Sequence, residues 1–370
     1  MPIRSIPPHF YTSDAIAHQE SKTLFRSNWL CVGRSDLVVN EGQFVTLDIA
    51  GHSVVLTRGK ANRLAALANT CRHRGMRLAE GSGHCKGLRC PFHSWFYDLS
   101  GHLIAAPEMD AVDGFDKSAF DLHRYAIEER HGFIFLNLSP EPDDLDAQLA
   151  DFAPLHSDWP LGTLVTIRRR ELEVDCNWKL FLDVFNEYYH LPFVHAASIN
   201  SIYERPETGA AVAGDFATQF GPTEGTGGLL DTQQSYALPD MEGLKGKATQ
   251  GVRYTWLFPN MSFAANRDAL WAYEAYPLSG AKCKVIQTCC FPQSSLKLPD
   301  FEEKSQAYLE RMDAALQEDI DQLAVQQTGM SHPDAQSGPI HPLLETNVAT
   351  FAKWYQSQML EAEGNIYVKI

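Results

Sequence analysis

Two short clusters, Cys71-Arg72-His73 and Cys90-Pro91-Phe92-His93, are separated by sixteen residues, and each joins one thiol to one imidazole. A Cys-x-His step followed by a Cys-x-x-His step suits a 2Fe–2S cluster in which two cysteines hold one iron and two histidines hold the other. Neutral imidazoles in place of two thiolates raise the reduction potential, so such a centre takes electrons from ferredoxin-like donors. Structural zinc is the competing reading, since it also accepts two cysteines and two histidines. Zinc modules, however, group like ligands together, whereas each cluster here mixes them, and that order favours iron–sulfur. Cys85 and His84, which lie between the clusters, are not expected to be ligands.

The surroundings of the clusters are specific. Cys71-Arg72-His73-Arg74-Gly75 and Cys90-Pro91-Phe92-His93-Ser94-Trp95 resemble the two loops that clamp a Rieske cluster, with Phe92 and Ser94 in place of the commoner Tyr and Gly. Tyr97-Asp98-Leu99-Ser100-Gly101 reads as a strand entering a turn, with Gly101 free to take positive φ. Alternating segments such as Phe44 to Leu47, Ser53 to Leu56 and Gly132 to Leu138 read as strands. An all-β module is therefore expected over residues ~40 to ~140. The polar run Ser139 to Asp144 is the best linker candidate.

With 370 residues the chain has room for two domains. A net charge of −15 argues against a nucleic-acid partner. No apolar run reaches the ~18 residues of a membrane span, and Met1 to His9 hold no apolar stretch of a secretory signal. Eight cysteines spread over the chain do not make a disulfide framework. Cys31, Cys176, Cys283, Cys289 and Cys290 read as small buried hydrophobes of a cytoplasmic, reduced protein. Arg72, Arg74, Arg77, Lys86 and Arg89 make the cluster region locally basic. They form either a docking face for an acidic redox donor or a set of locally paired side chains.

A second region follows. Ahead of the β module, Ser13 or Asp14 caps a helix expected to run to about Arg26. Behind it come a short helix near Leu145 to Phe152, a strand over Leu164 to Asp175 and a helix from Trp178 to about Tyr189. Gly209 to Lys247, rich in Gly, Thr and Gln, reads as long loops. Strands return at Tyr254 to Phe258, Ala269 to Tyr276 and Cys283 to Phe291, and Asp300 to Gln327 and Phe351 to Leu360 read as amphipathic helices. The fold class is α+β with an antiparallel sheet. The expected division is residues 1–39 as a lead-in packing on the catalytic domain, 40–150 as the Rieske domain and 151–370 as a catalytic domain.

A Rieske centre alone does not act on a substrate. The helix from Trp178 leads to His190 and His195, five residues apart and splayed by about 140° on an ideal helix. Pro192 between them turns the chain, which lets both imidazoles converge on one metal. Glu187 precedes His190 by three residues and Asp183 by seven, an arrangement that places both carboxylates on the His190 face of a continuous helix. Two histidines need one carboxylate to make the facial triad of a mononuclear Fe(II) site, and Glu318-Asp319-Ile320-Asp321 is the source expected for it.

These features together resemble Rieske non-haem iron oxygenases, in particular catalytic α subunits of ring-hydroxylating and of choline-, betaine- and carnitine-type enzymes. Cys176-Asn177-Trp178-Lys179 matches the family's lead into the metal helix, and Glu-Asp followed by Gln327-x-Gly329 matches its carboxylate segment. On that match the cluster ligands are Cys71, His73, Cys90 and His93, and the iron ligands are His190, His195 and Asp319, ahead of Asp321 and Glu318. The resemblance implies a START-like helix-grip catalytic domain and a homotrimer or dimer of trimers, in which one subunit's cluster serves its neighbour's iron. It further implies that Glu187, with Asp183 as a second candidate, bridges a Rieske histidine to an iron histidine across that interface. Electrons from NAD(P)H arrive through a separate reductase or ferredoxin, since no Gly-rich dinucleotide motif is present. O2 is the co-substrate of a mono- or dioxygenation. Val184 stands where relatives often carry Asn, and His195-Ala196-Ala197-Ser198-Ile199 looks somewhat like the O-demethylase branch.

The substrate is a small organic molecule of open identity: a quaternary ammonium compound, or an aromatic acid in the alternative. Tyr254, Trp256, Phe258, Phe263, Trp271, Tyr273 and Tyr276 fall where a pocket wall is expected. Aromatic faces attract quaternary ammonium groups, yet residues two apart on a strand share one face, and core packing is the expectation for most of them. Arg253 and Arg267 are candidates to pair a substrate carboxylate or to sit in solvent. A Rieske electron-transfer protein whose second domain only binds a ligand is the non-enzyme alternative.

Overall fold

A computed structural model describes residues 3–367, with side chains as far as Met359. The chain divides into a unit of Arg26–Pro142 and a unit of Met1–Phe25 with Asp143–Ile370. In the first, seven strands form one antiparallel sheet in the order Leu30–Arg34, Phe133–Asn137, Arg124–Arg130, Leu64–Ala68, His52–Arg58, Gln43–Ile49 and Ser82–His84. Residues 26–39, expected with the N-terminal lead-in, belong to this sheet unit because Leu30 pairs with Leu136 and Cys31 with Phe135. Residues 143–150, expected here, fall in the other unit, where the Gln148 amide donates to the Phe258 carbonyl at 3.1 Å. A three-stranded sheet of Leu88–Arg89, Phe96–Tyr97 and Leu103–Ala105 flanks the second cluster loop. Val55, Leu67, Leu88, Trp95, Tyr97 and Leu122 form the core beneath both loops.

The larger unit is built on a six-stranded antiparallel sheet of β1 (Leu164–Val174), β2 (Phe216–Pro222), β3 (Gly251–Leu257), β4 (Met261–Ala265), β5 (Leu270–Ser279) and β6 (Lys282–Pro292). Its order is β1-β6-β5-β4-β3-β2. The α+β expectation holds. Strand β2, however, lies inside the stretch expected to be loop: its polar Thr218 and Gln219 and its terminal Pro222 hide a strand that pairs on one side only, with β3. Strands β3 to β6 are almost wholly buried, so they read as continuous apolar runs rather than alternations.

Five helices matter for the site: α1 (Asp14–Lys22), α2 (Trp178–Phe185), α3 (Leu191–Val194), α4 (Phe301–Met330) and α5 (Thr346–Tyr367). Ser13 caps α1 by accepting the Ile16 N–H at 3.4 Å, and α1 stops at Lys22, short of Arg26. Helix α2 packs on β5 and on α4. Its start is fixed from two directions. The buried Glu20 carboxylate of α1 takes Lys179 Nζ at 2.6 Å, Trp178 Nε1 at 2.8 Å and the Tyr355 hydroxyl of α5 at 2.5 Å. Those extra donors satisfy an ion pair that burial alone would disfavour. Gln327 of α4 accepts the Asn177 N–H at 2.7 Å and donates to the Tyr11 carbonyl at 2.9 Å, which gives the Gln327-x-Gly329 motif a positioning role.

Candidate metal centres

Each cluster loop folds back on its own cysteine. Gly75 and Ser94 donate their N–H groups to the Cys71 and Cys90 carbonyls at 2.9 and 3.1 Å, and the two cysteines donate to Met76 and Trp95, both at 2.8 Å. Gly75 and Ser94 have φ of 74° and 59°. That left-handed turn explains why glycine is the easier residue at both places. Cys71 and Cys90 are buried, whereas His73 and His93 are exposed with ring centroids 4.6 Å apart. His73 also stacks on the buried Trp95 at 5.0 Å. Thiols presented from the core and imidazoles presented from the surface fit a cluster whose cysteine iron is enclosed and whose histidine iron reaches solvent. Of the basic residues, Arg77 pairs with Asp48 at 3.1 Å, while Arg74 and Arg89 lie over Phe92 and Phe96 at 5.6 and 5.1 Å. Cys85 is half-buried against the core, and His84 contacts the Glu41 carbonyl at 2.9 Å.

Tyr97 was not singled out by sequence. Its hydroxyl accepts the Arg72 N–H at 3.1 Å and lies 3.4 Å from Cys71 Sγ. Burial raises its pKa and keeps the phenol proton in place, and with Cys71 bound to iron as a thiolate the phenol would be the donor of this contact. A hydrogen bond to a cluster sulfur stabilises the reduced state. Tyr97→Phe should therefore lower the midpoint potential by on the order of 50 mV, one hydrogen bond's worth for a one-electron couple. A redox titration followed by visible circular dichroism checks this.

In the second centre, the ring nitrogens of His190 and His195 and a carboxylate oxygen of Asp319 lie within 4.8 Å of one another. Asp319 Oδ1 is 3.1 Å from His195 Nε2 and 3.6 Å from His190 Nε2. That oxygen is buried and receives no hydrogen bond from the described residues, which fits a metal-facing lone pair better than a solvated carboxylate. The other nitrogen of each ring is held from behind. His190 Nδ1 meets Glu187 Oε1 at 2.5 Å, and His195 Nδ1 meets Glu318 Oε2 at 2.6 Å, where the Ser198 hydroxyl also donates at 2.8 Å. Carboxylates behind both rings keep the proton on Nδ1 and aim Nε2 at the metal. Burial works against a charged His190, yet the Glu187 bond and the Glu187 and Asp319 charges raise its pKa overall. Metal and proton compete for the same ring nitrogen, so metal affinity falls in acid. Of the other two acids, Glu318 stands behind His195, and Asp321 is exposed and takes the Gln317 amide at 2.8 Å.

Helix α2 does not continue to Tyr189 as expected; it ends at Phe185, with Asn186 out of helical geometry at φ −111° and ψ 19°. Asn186 instead donates to the Leu182 carbonyl at 2.7 Å and to Ser262 at 2.6 Å. The break separates Glu187 from Asp183. Glu187 turns to the His190 ring and accepts the N–H groups of Tyr189 and His190. Asp183 is absent from the residues around the metal cavity and accepts the Tyr11 hydroxyl at 3.0 Å. Its expected place on the His190 face is thus lost with the helix.

Burial pushes the Asp183 carboxyl up to about 7. Between about pH 4 and pH 7 the folded chain keeps a proton that the unfolded chain has released, so rising pH erodes stability. Asp183→Asn should gain on the parent across that window by on the order of 4 kcal/mol, measured as urea unfolding at each pH. Turnover should stay near the parent's; a loss beyond ~100-fold would return Asp183 to the chemistry.

The three donors open on a small cavity of about 40 Å³, bounded by Val184, Phe185, Tyr188, Tyr254, Tyr273 and Arg311 among others. Of the seven aromatics considered from sequence, Tyr254 and Tyr273 reach this cavity and the others pack the interior. Neither Arg253 nor Arg267 reaches it: Arg253 lies over Trp159 at 5.4 Å, and Arg267 pairs with Asp240 at 2.5 Å. Arg311 was missed, although it is a charged residue on the buried stripe of α4 formed by Ala307, Tyr308, Met312, Ala315 and Leu316. That mismatch was its signal.

Known proteins share these two domains and this fold. The family model described as ring hydroxylating alpha subunit (catalytic domain) matches residues 161–361, more than half of the chain. The chain belongs to that family. The Rieske [2Fe-2S] domain model matches residues 28–116 of the chain, and the two domains imply a Rieske cluster and a mononuclear iron. It is similar to the carnitine monooxygenase oxygenase subunit of Acinetobacter baumannii, 32% identical over 54% of each chain. It is also similar to the glycine betaine monooxygenase oxygenase subunit of Pseudomonas aeruginosa, 24% identical over 97% of this chain and 90% of that one. In the matches to the carnitine enzymes, the chain spans about half the length of the curated relatives. The solved quaternary ammonium Rieske monooxygenase CntA with L-carnitine shares the fold at a TM-score of 0.81 and 22% identity, covering 96% of each chain. Naphthalene 1,2-dioxygenase from Rhodococcus does so at 0.77 and 19%, over 96% of this chain and 94% of that one. Among the described residues no helix is long and apolar enough to cross a membrane.

Proposed function

We propose that this chain is the terminal oxygenase component of a multicomponent Rieske system. It would take NAD(P)H-derived electrons from a separate reductase or ferredoxin and use O2 to oxidise a small organic molecule. The observation that carries this is the buried Asp319 oxygen without a donor, facing two imidazoles fixed from behind, in a chain that also holds Rieske loops. Cys71, Cys90, His73 and His93 would hold the cluster, and His190, His195 and Asp319 the iron. When bound, the two groups supply one-electron delivery and oxygen activation. The protein's own part is orientation and exclusion of water. Glu187 and Glu318 hold the two rings; Val184, Phe185 and Leu316 give the cavity apolar walls.

The names of the relatives favour a quaternary ammonium substrate, and aromatic faces of Tyr254 and Tyr273 beside the metal donors suit a cation. Phe92 beside one centre and Tyr189 and Phe193 beside the other are exposed, which supports contact with neighbouring subunits in a trimer. The experiment is iron content after anaerobic Fe(II) reconstitution, then substrate-dependent NAD(P)H oxidation with a surrogate reductase, comparing betaines with aromatic acids. Three irons per chain and coupled product formation are expected. Two irons would favour an electron carrier, and a colourless zinc protein would remove both readings.

A further inference from the structure

Arg311 lies on the wall of the iron cavity, is 4% exposed and meets no carboxylate among the described residues. Its Nη2 donates to the Tyr203 hydroxyl at 2.9 Å, and its guanidinium carbon sits 4.7 Å over the Trp271 ring. Nε is buried with no acceptor at all, as is Nε1 of Trp271 beneath it. Of the other buried arginines, Arg58 has the Glu129 carboxylate at 2.9 Å. Arg253, which donates to the Thr218 hydroxyl at 3.3 Å and lies over Trp159, is outside the iron cavity, so Arg311 is set apart by its place on the cavity wall. A buried cation held by a hydroxyl and an aromatic face alone is under-compensated. Its planar fork suits one ligand chemistry above others, a carboxylate received through charge-assisted bonds. Arg311 and Asp319 belong to one helix, α4, and both line the same cavity with His190 and His195. A small molecule held in that cavity can therefore touch the guanidinium with one end and face the metal donors with the other.

We propose that Arg311 is the carboxylate anchor of the substrate site, so that this oxygenase acts on small carboxylic acids rather than on the corresponding alcohols. The inference rests on the oxygenase reading. It extends that reading from a type of chemistry to a required functional group. With a quaternary ammonium substrate, the acid end goes to Arg311 and the cationic end to the tyrosine faces and the acidic metal site. An alcohol such as choline leaves the guanidinium unpaired.

The test uses the iron-loaded holoprotein and two probe pairs that differ only by CH2OH for carboxylate: glycine betaine with choline, and benzoate with benzyl alcohol. Iron is counted first, because fewer than three irons per chain fails the oxygenase reading and not the anchor. Binding is then measured anaerobically by titration calorimetry. In the parent protein, at least one acid should bind about tenfold or more tighter than its alcohol. Whichever pair shows that gap identifies the scaffold. Arg311→Gln should flatten it to within about threefold while leaving iron content and the cluster spectrum intact, and Arg311→Lys should restore part of it. Equal affinity for acid and alcohol in the parent, or no binding of either acid, overturns the anchor without recourse to any variant. An Arg311→Gln protein that keeps the parental gap overturns it too.

Discussion

Asp319→Ala should purify with its Rieske absorption intact but with two irons per chain where the parent holds three, and its substrate turnover should fall by more than ~100-fold. The expectation follows from the place of Asp319 Oδ1, buried, without a donor, and 3.1 and 3.6 Å from the two imidazole nitrogens. Two neutral imidazoles without an anionic oxygen hold Fe(II) weakly, since the hard cation loses its charged ligand. Asp321→Ala is the matched control. That carboxylate is exposed and bonded to Gln317, so its loss should leave iron and turnover near the parent's. Iron analysis and turnover on the two variants side by side decide the matter. Three irons in Asp319→Ala, or equal damage in both variants, would move the carboxylate ligand elsewhere.

The contrast between Asp319 and its neighbours shows what sequence can and cannot deliver. The cluster loops are legible because their chemistry is local: each Cys and His pair sits within four residues and closes one turn. The long α4 helix is legible from its apolar stripe. Which of three acids on α4 faces the histidines is set by the rotation of that helix against α2 and β5, and spacing alone does not report it. Spacing offers Glu318 only as a ligand, but it stands behind His195, a role visible only once the ring is placed. Strand β2 and the sheet membership of residues 26–39 depend on partners far along the chain, so local periodicity misses both. The end of α2 at Phe185 was missed for a different reason. No Pro or Gly marks it; Asn186 breaks the helix by bonding to Ser262 of β4.

That break is what makes Glu187 the most informative single residue of the site. Glu187→Ala should leave the iron–sulfur spectrum and the iron content close to the parent's, since Glu187 is a ligand of neither centre, and yet cut coupled turnover by ~100-fold or more. Two roles predict this loss, and they separate by a second variant. In the first, Glu187 only orients His190 by accepting its Nδ1–H at 2.5 Å. In the second, it also accepts a Rieske histidine of a neighbouring subunit and so links the two centres. A glutamine side chain in its place keeps one carbonyl oxygen for His190 but offers an amide donor, not an acceptor, on its other side. Glu187→Gln should therefore keep the bond to the His190 ring while losing the second contact and, with it, the Tyr189 and His190 N–H bonds to Oε2. Iron content is measured beside the rate to show that His190 still holds its metal. The measurement is a single turnover of protein with its cluster reduced beforehand, so that the rate reports transfer between centres and not delivery by the reductase. A rate reduced to nearly that of Glu187→Ala supports the link. A parental rate in Glu187→Gln would confine Glu187 to the His190 ring, and the path between the centres would then need another carrier.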